Sequence, residues 1–167
     1  MTDIPADVRQ AFEEHDSLAP RSRDAGAAVT TTVFDGTVTA SAGETGVACT
    51  VHIAVPTLDA ATADEVGDAV AADWLRTLRR RLRDAPKATR VTVELDSFTL
   101  DTEGETVRVE YEFTHDNPST AAAVATTFVE FVEGTYVEGI VPGYEYERPI
   151  ASLLSQASQG SESGTPL

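Results

Sequence analysis

Two stretches in which large apolar residues alternate with small or polar ones place the tightest limits on how this chain can fold. The apolar positions of these stretches are Val47, Cys49, Val51, Ile53 and Val55, followed by Val107, Val109, Tyr111 and Phe113. Because successive side chains of a strand point to opposite faces, each stretch predicts a strand with one buried face. Arg108, Glu110 and Glu112 then face water, as is typical of an antiparallel sheet covered on one side only.

A second β region is predicted before the first of these strands. Residues 29–34 and 37–42 flank Asp35-Gly36, which is a strong turn signal between two strands. We favour this hairpin, in which Val33 pairs with Val38. The alternative is a single bent strand with Phe34 and Val38 facing inward.

Further strands and helices follow from periodicity. The region 91–100 predicts a strand whose phase slips, which indicates a bulge near Asp96-Ser97. Helical spacing predicts one helix over residues 5–15 and a second over residues 59–84. A linker over residues 16–27 is predicted between the first helix and the strands. The stripe of the second helix comprises Val66, Val70, Trp74, Leu75, Leu78 and Leu82.

The C-terminal part predicts one more long helix. Asn117 and Pro118 suit its cap and first position, and its end is placed at Gly134 or at Gly139. The element order is then α-β-β-β-α-β-β-α, an α+β fold in two layers with an antiparallel sheet of about five strands. We expect one domain over residues 1–157, with a short helical turn over 150–157 and a disordered tail over 158–167.

The charge of the chain indicates its surroundings. Asp and Glu number 28 against 12 Lys and Arg, the net charge is -16, and Lys87 is the only lysine. Molar salt shortens the Debye length to ~3 Å and screens such self-repulsion. We therefore expect a halophilic, archaeal, cytoplasmic protein. No signal peptide or membrane span is evident, and nucleic acid is an unfavourable partner for this charge.

Two stretches carry a family resemblance. They are Val29-Thr30-Thr31-Thr32-Val33-Phe34-Asp35 through Val55-Pro56-Thr57-Leu58-Asp59-Ala60, and Phe131-Val132-Glu133-Gly134-Thr135-Tyr136 through Gly143-Tyr144-Glu145-Tyr146. Together they resemble a haloarchaeal family of small acidic proteins known only as a domain of unknown function. The similarity extends from about residue 3 to residue 154, and it implies no activity, cofactor or catalytic residue.

The predicted order of elements is also similar to that of type III secretion chaperones. Those proteins are small, acidic and often dimeric, and they bind other protein chains. No sequence motif supports this likeness, and a shared fold does not imply a shared function. What the likeness implies is a protein-binding role and a possible homodimer.

The segment 134–146 is the sharpest local feature for binding. Its candidate surface consists of Tyr136, Glu138, Tyr144, Glu145 and Tyr146. Tyrosines offer an apolar body with a polar tip, as binding surfaces often do. The alternative is a structural cover over the end of the sheet, with the tyrosines filling the core.

A cluster of arginines closes the second predicted helix. The candidate anion patch comprises Arg76, Arg79, Arg80 and Arg83, together with Arg81. The alternative is complementarity to the helix dipole together with surface ion pairs, each worth ~0–1 kcal/mol.

The chain lacks the patterns of familiar active sites. His15, His52 and His115 fall on separate elements, and Cys49 and His52 should point to opposite faces of one strand. No GxGxxG, phosphate loop, GxSxG or HExxH pattern occurs. We therefore expect no cofactor, no metal and no catalytic residue, and a non-enzymatic protein-binding, adaptor or chaperone-like module. The alternative is a small-molecule binder or an unfamiliar enzyme with a pocket near 134–146.

Overall fold

The computed structural model describes residues 5–20 and 26–163. Its helices are α1 (Ala6–Glu14), α2 (Leu58–Ala61), α3 (Asp68–Leu82), α4 (Pro118–Glu138) and α5 (Ile150–Ser163). Its strands are β1 (Leu18–Pro20), β2 (Gly26–Val29), β3 (Asp35–Ala42), β4 (Val47–Pro56), β5 (Leu95–Glu103) and β6 (Thr106–His115). A 3-10 helix spans Ala85–Ala88.

The strands form one antiparallel sheet in the order β1-β2-β3-β4-β6-β5. The alternating stretches become its two central strands, which pair from Val47 with His115 to Pro56 with Thr106. The α+β fold with an antiparallel sheet is confirmed. The sixth strand, β1, lies within residues 16–27, which were predicted to be a linker.

The predicted hairpin is wrong in the position of its turn. Strands β2 and β3 do pair, but the connection runs over residues 30–34, and Asp35 already begins β3. Glu133 holds this connection in place, because its carboxylate accepts hydrogen bonds from the backbone N–H groups of Val33 (2.7 Å) and Phe34 (3.0 Å). Gly36 serves close packing rather than a turn, since a Cβ there would collide with Val129 of α4.

The predicted single helix over 59–84 is also wrong, because it divides into α2 and α3. The Thr57 hydroxyl accepts a hydrogen bond from the Ala60 N–H and caps α2. Residues 62–67 then leave the helical path, and α3 begins after Gly67. Val66 is buried within this connection, and Val70 is 38% exposed instead of lying in the core stripe.

The start of the strand predicted at Val91 moves to Leu95. The Thr89 hydroxyl lies within hydrogen-bond distance of the carbonyls of Pro86 (2.8 Å) and Val91 (2.7 Å) and donates its single proton to one of them, and the chain curls around this residue before the strand. The predicted bulge is confirmed as a register shift between Leu95 and Ser97.

The long C-terminal helix follows the second of its two predicted ends. The Asn117 side chain caps α4 through the Thr120 N–H, and the helix passes Gly134 to end at Gly139. Helix α5 continues to Ser163, beyond the short turn expected over 150–157. Of the tail predicted over 158–167, residues 164–167 lie outside the described part of the chain.

The core lies between the sheet and α4. Phe128 of α4 packs its ring against Tyr111 (5.0 Å between centroids) and Phe113 (5.4 Å) of β6. The Tyr111 hydroxyl donates a hydrogen bond of 2.7 Å to the carbonyl of Leu82, which attaches the end of α3 to the same core. The helices thus cover one face of the sheet. Among residues 5–20 and 26–163, no helix is both long and apolar enough to cross a bilayer.

Candidate functional site

Tyr136, the first of the predicted site residues, lies inside the core. It is 0% exposed, and its hydroxyl donates a hydrogen bond of 3.0 Å to the carbonyl of Pro56 at the end of β4. The rings of Phe34 (4.9 Å) and Trp74 (5.6 Å) meet it edge to face. Burial, followed by the nearby Tyr146 hydroxyl, raises the pKa of Tyr136. The two stretches that carried the family resemblance therefore meet at this ring.

The loop that follows α4 is tied down by backbone hydrogen bonds. The Ala63 N–H donates to the carbonyl of Glu145, and the Glu147 N–H donates to the carbonyl of Ala61, both at 2.8 Å. The Glu145 N–H donates to the carboxylate of Asp64 at 2.6 Å. This short antiparallel bridge fixes the loop against the connection between α2 and α3, so Glu145 acts through its backbone while its side chain stays exposed.

The remaining predicted residues lie on different parts of this surface. The carboxylate of Glu138 forms an ion pair of 2.6 Å with Arg81, which joins α4 to α3. The Tyr146 hydroxyl donates to the carbonyl of Val141, and burial raises the pKa of this tyrosine. Tyr144 is half-buried against the core. The five residues therefore do not converge on one cavity.

An apolar groove opens beside this segment, between α3 and residues 139–141. Its volume is about 460 Å³, and its lining residues are Ala69, Val70, Asp73, Trp74, Thr77, Gly139 and Val141. Trp74 is 6% exposed and contacts Tyr136, so the floor of the groove is continuous with the core. The sequence pattern did not reveal this groove, because Val70 falls in the apolar stripe that predicted a buried position.

A smaller depression lies on the other side of α3. Its volume is about 260 Å³, and Trp74 also lines it, together with Leu58 and Leu75. The single tryptophan of the chain therefore stands between two apolar depressions, one on each flank of α3.

Most arginines of the predicted anion patch contact other groups of the chain. Arg79 donates a hydrogen bond of 3.2 Å to the carbonyl of Leu100, and the Arg83 guanidinium lies 5.8 Å above the centroid of Phe98. Both contacts attach α3 to β5. Arg76 pairs with Asp73 at 3.5 Å in an exposed i,i+3 arrangement. Arg80, the remaining member of the patch, is exposed.

Cys49 and His52 point to opposite faces of β4, as predicted. Cys49 is buried on the inner face of β4, and burial raises the pKa of its thiol to about 12. His52 points to the open face, where its Nδ1 lies 3.3 Å from the carboxylate of Glu110. Over the described residues, no three His, Cys, Asp or Glu side chains are grouped as metal ligands.

Comparison with known proteins places the chain by family only. A family model described as a family of unknown function matches residues 13–156. No curated protein matches the chain. No solved structure matches it either.

Proposed function

This chain belongs to DUF5813, a family of unknown function, and we propose for it a non-catalytic role as a cytoplasmic protein-binding module of the adaptor or chaperone-like type. Its binding site is the groove between α3 and residues 139–141. The observation that carries the proposal is Val70, which is 38% exposed on the wall of an apolar groove whose floor is Trp74. An apolar depression with an aromatic floor is the form that anchor pockets of protein interfaces take.

The charges around the groove define the partner. Asp73 lines the groove, and Glu65 and Asp68 are exposed at the N-terminal end of α3. Apolar contacts supply affinity, whereas complementary charges at the rim guide association. We therefore expect the partner segment to carry a bulky apolar side chain flanked by Lys or Arg.

The groups with shifted pKa values support a structural rather than a catalytic role for the interior of the protein. The raised pKa values belong to Cys49, Tyr111, Tyr136 and Tyr146, and burial is the main cause in each. The three tyrosine hydroxyls donate to backbone carbonyls. Active sites instead perturb groups that face a cleft.

A second candidate is a small-molecule binder that uses the same groove. The volume of about 460 Å³ falls within the ~300–1,000 Å³ of ligand pockets. An enzyme of this kind would need catalytic groups at the rim, where Asp73 and Thr77 are the polar side chains.

The test compares two valines of equal exposure. Val70 is 38% exposed in the groove, and Val91 is 39% exposed outside it. The wild type, Val70→Glu and Val91→Glu are immobilised, and proteins retained from native lysate in molar KCl are identified by mass spectrometry. The proposal predicts one protein that the wild type and Val91→Glu retain and Val70→Glu loses. Calorimetry with the purified partner then measures the loss of affinity.

Two results would count against a protein-binding groove. One is equal retention of every captured protein by Val70→Glu. The other is thermal stabilisation of the wild type, but not of Val70→Glu, by a metabolite from a screening library. The second result would favour the small-molecule alternative.

A further inference from the structure

The indole N–H of Trp74 differs from the other donors of the core, because it has no acceptor in the part of the chain that the structure describes. Trp74 is only 6% exposed. The hydroxyls of the buried Tyr111 and Tyr136, by contrast, donate to backbone carbonyls. An indole nitrogen can only donate, and a buried tryptophan usually finds an acceptor. The N–H of Trp74 is thus free to bind another molecule.

This nitrogen is in contact with solvent rather than sealed in the core. No fully buried side-chain nitrogen or oxygen among the described residues lacks a hydrogen-bond partner. Because the Trp74 nitrogen has no partner, part of its surface must be open. Trp74 lines the depressions on both flanks of α3, so its N–H opens into one of them.

The linings of the two depressions decide between them. The smaller one is bordered by three side chains with acceptor oxygens, which are Thr57, Asp59 and Thr102. The groove between α3 and residues 139–141 has only Asp73 and Thr77 of this kind, and Asp73 is paired with Arg76. An N–H without an acceptor is therefore better explained by the groove.

We infer that the indole N–H of Trp74 opens into the groove and donates a hydrogen bond to a main-chain carbonyl of the partner segment. The inference rests on the proposed function and specifies the conformation of the partner. Burying a main-chain carbonyl without a hydrogen bond costs free energy, and this N–H removes that cost. Carbonyls within a helix already accept from N–H groups four residues later, whereas those of an extended segment are free. The partner segment therefore docks in an extended conformation.

The donor is held in position before the partner binds. The ring of Tyr136 meets Trp74 edge to face at 5.6 Å, and the Tyr136 hydroxyl is bonded to the carbonyl of Pro56. Further along α3, Arg81 pairs with Glu138 of α4 at 2.6 Å. A donor that is already fixed loses little conformational entropy on binding, so its hydrogen bond adds to affinity.

Nuclear magnetic resonance of the free protein tests the direction of the N–H. Trp74 is the only tryptophan, so the indole region of the spectrum contains a single N–H signal. We expect this proton to exchange with water and to show nuclear Overhauser effects to the methyl groups of Val70 or Val141. A proton that is protected from water, or that shows such effects only to Leu58 and Leu75, would overturn the inference.

Exchanging one atom of the ring tests the hydrogen bond itself. Incorporation of β-(3-benzothienyl)alanine in place of tryptophan puts sulfur at the position of the N–H and changes no other residue, since the chain has one tryptophan. The probe is the peptide acetyl-Lys-Leu-Lys-amide, a short extended segment with the expected apolar and basic side chains. We expect the sulfur variant to bind this peptide about fivefold to tenfold more weakly in molar KCl, by titration followed in NMR spectra. Its Tm should equal that of the wild type, because the free protein has no hydrogen bond to lose at this atom.

Val70→Asn separates a failure of this inference from a failure of the proposed function. This change removes apolar contact from the groove without adding a charge that would attract lysines, and we expect it to weaken binding of the peptide. If it does so while the sulfur variant binds as the wild type does, the groove is the site and the inference about Trp74 is wrong. If the peptide does not bind the wild type, or binds Val70→Asn equally well, both fail. A sulfur variant with a clearly lower Tm would overturn the inference alone, because the N–H would then have an internal acceptor.

Discussion

Replacing Tyr136 measures how much the C-terminal half of α4 contributes to the core. Tyr136→Ala removes a fully buried ring that touches Phe34 and Trp74, and such truncations cost about 3–5 kcal/mol. Tyr136→Phe keeps the ring and removes only the hydrogen bond to the carbonyl of Pro56. That loss is worth about 1 kcal/mol.

Urea unfolding followed by circular dichroism in molar KCl gives these differences directly. For a chain of this length, 1 kcal/mol corresponds to about 2–4 °C in Tm. Tyr136→Phe should therefore melt about 2–4 °C below the wild type, and Tyr136→Ala roughly 10 °C below it. Tyr144→Phe is the matched control, because Tyr144 is only half-buried, and we expect a change within about 0.5 kcal/mol.

The opposite pattern would refute a core role for Tyr136. If Tyr136→Ala lost less than about 1 kcal/mol but abolished partner capture, its ring would be a contact surface rather than part of the core. Equal losses for the Phe and Ala variants would show that the hydroxyl, and not the ring, carries the stabilisation.

Three further predictions use other features of the fold. Gly36→Ala should lower the free energy of unfolding by about 1–3 kcal/mol, because the added methyl group would collide with Val129. Gly134→Ala should raise it by about 0.5–1 kcal/mol, because Gly134 is exposed within α4 and has open space around it. Urea unfolding measures both changes, and equal effects would contradict the packing at Gly36. Burial raises the pKa of Cys49 from 9.0 to about 12 and raises that of Tyr111 above 10.0, so the unfolded chain loses these protons first. Stability should hold below about pH 9 and fall as the pH rises toward 12, and thermal melts at constant salt that stay flat up to about pH 11 would contradict this. Because the net charge is -16, Tm should rise along a KCl series, and equal Tm at low and molar KCl would refute the halophilic interpretation.

The central strands could be predicted because their signal is local. Large apolar residues alternate with small or polar ones along β4 and β6, and the register of their pairing brings the large apolar residues of both strands to the buried face. The absence of a turn at Asp35-Gly36 could not be predicted in this way, because Gly36 is required by its close contact with Val129, which lies about ninety positions later in the chain. A local pattern cannot distinguish a glycine needed for a turn from one needed for close approach.

In the candidate site, too, some features could be predicted from local sequence and others could not. Tyrosines at 136, 144 and 146 were visible in the sequence, but their separation into core and loop depends on a bridge between Thr62 and Tyr146. That bridge also ends the helical path after α2, which is why the single helix predicted over 59–84 divides and Val70 becomes exposed in the groove. Contacts between distant segments decided both outcomes.

The attachment of α3 to β5 has a consequence for the behaviour of the protein at high concentration. β5 is the last strand of the sheet, and a free outer strand of nine residues is a template for strand addition by another molecule. Arg79 donates to the carbonyl oxygen of Leu100, so its guanidinium occupies one backbone acceptor that an incoming strand would need, while Arg83 lies over the ring of Phe98 and holds α3 beside the same strand. We therefore expect these arginines to hinder strand addition at β5, as charged side chains, especially lysines, do on edge strands of other proteins; this chain has one lysine.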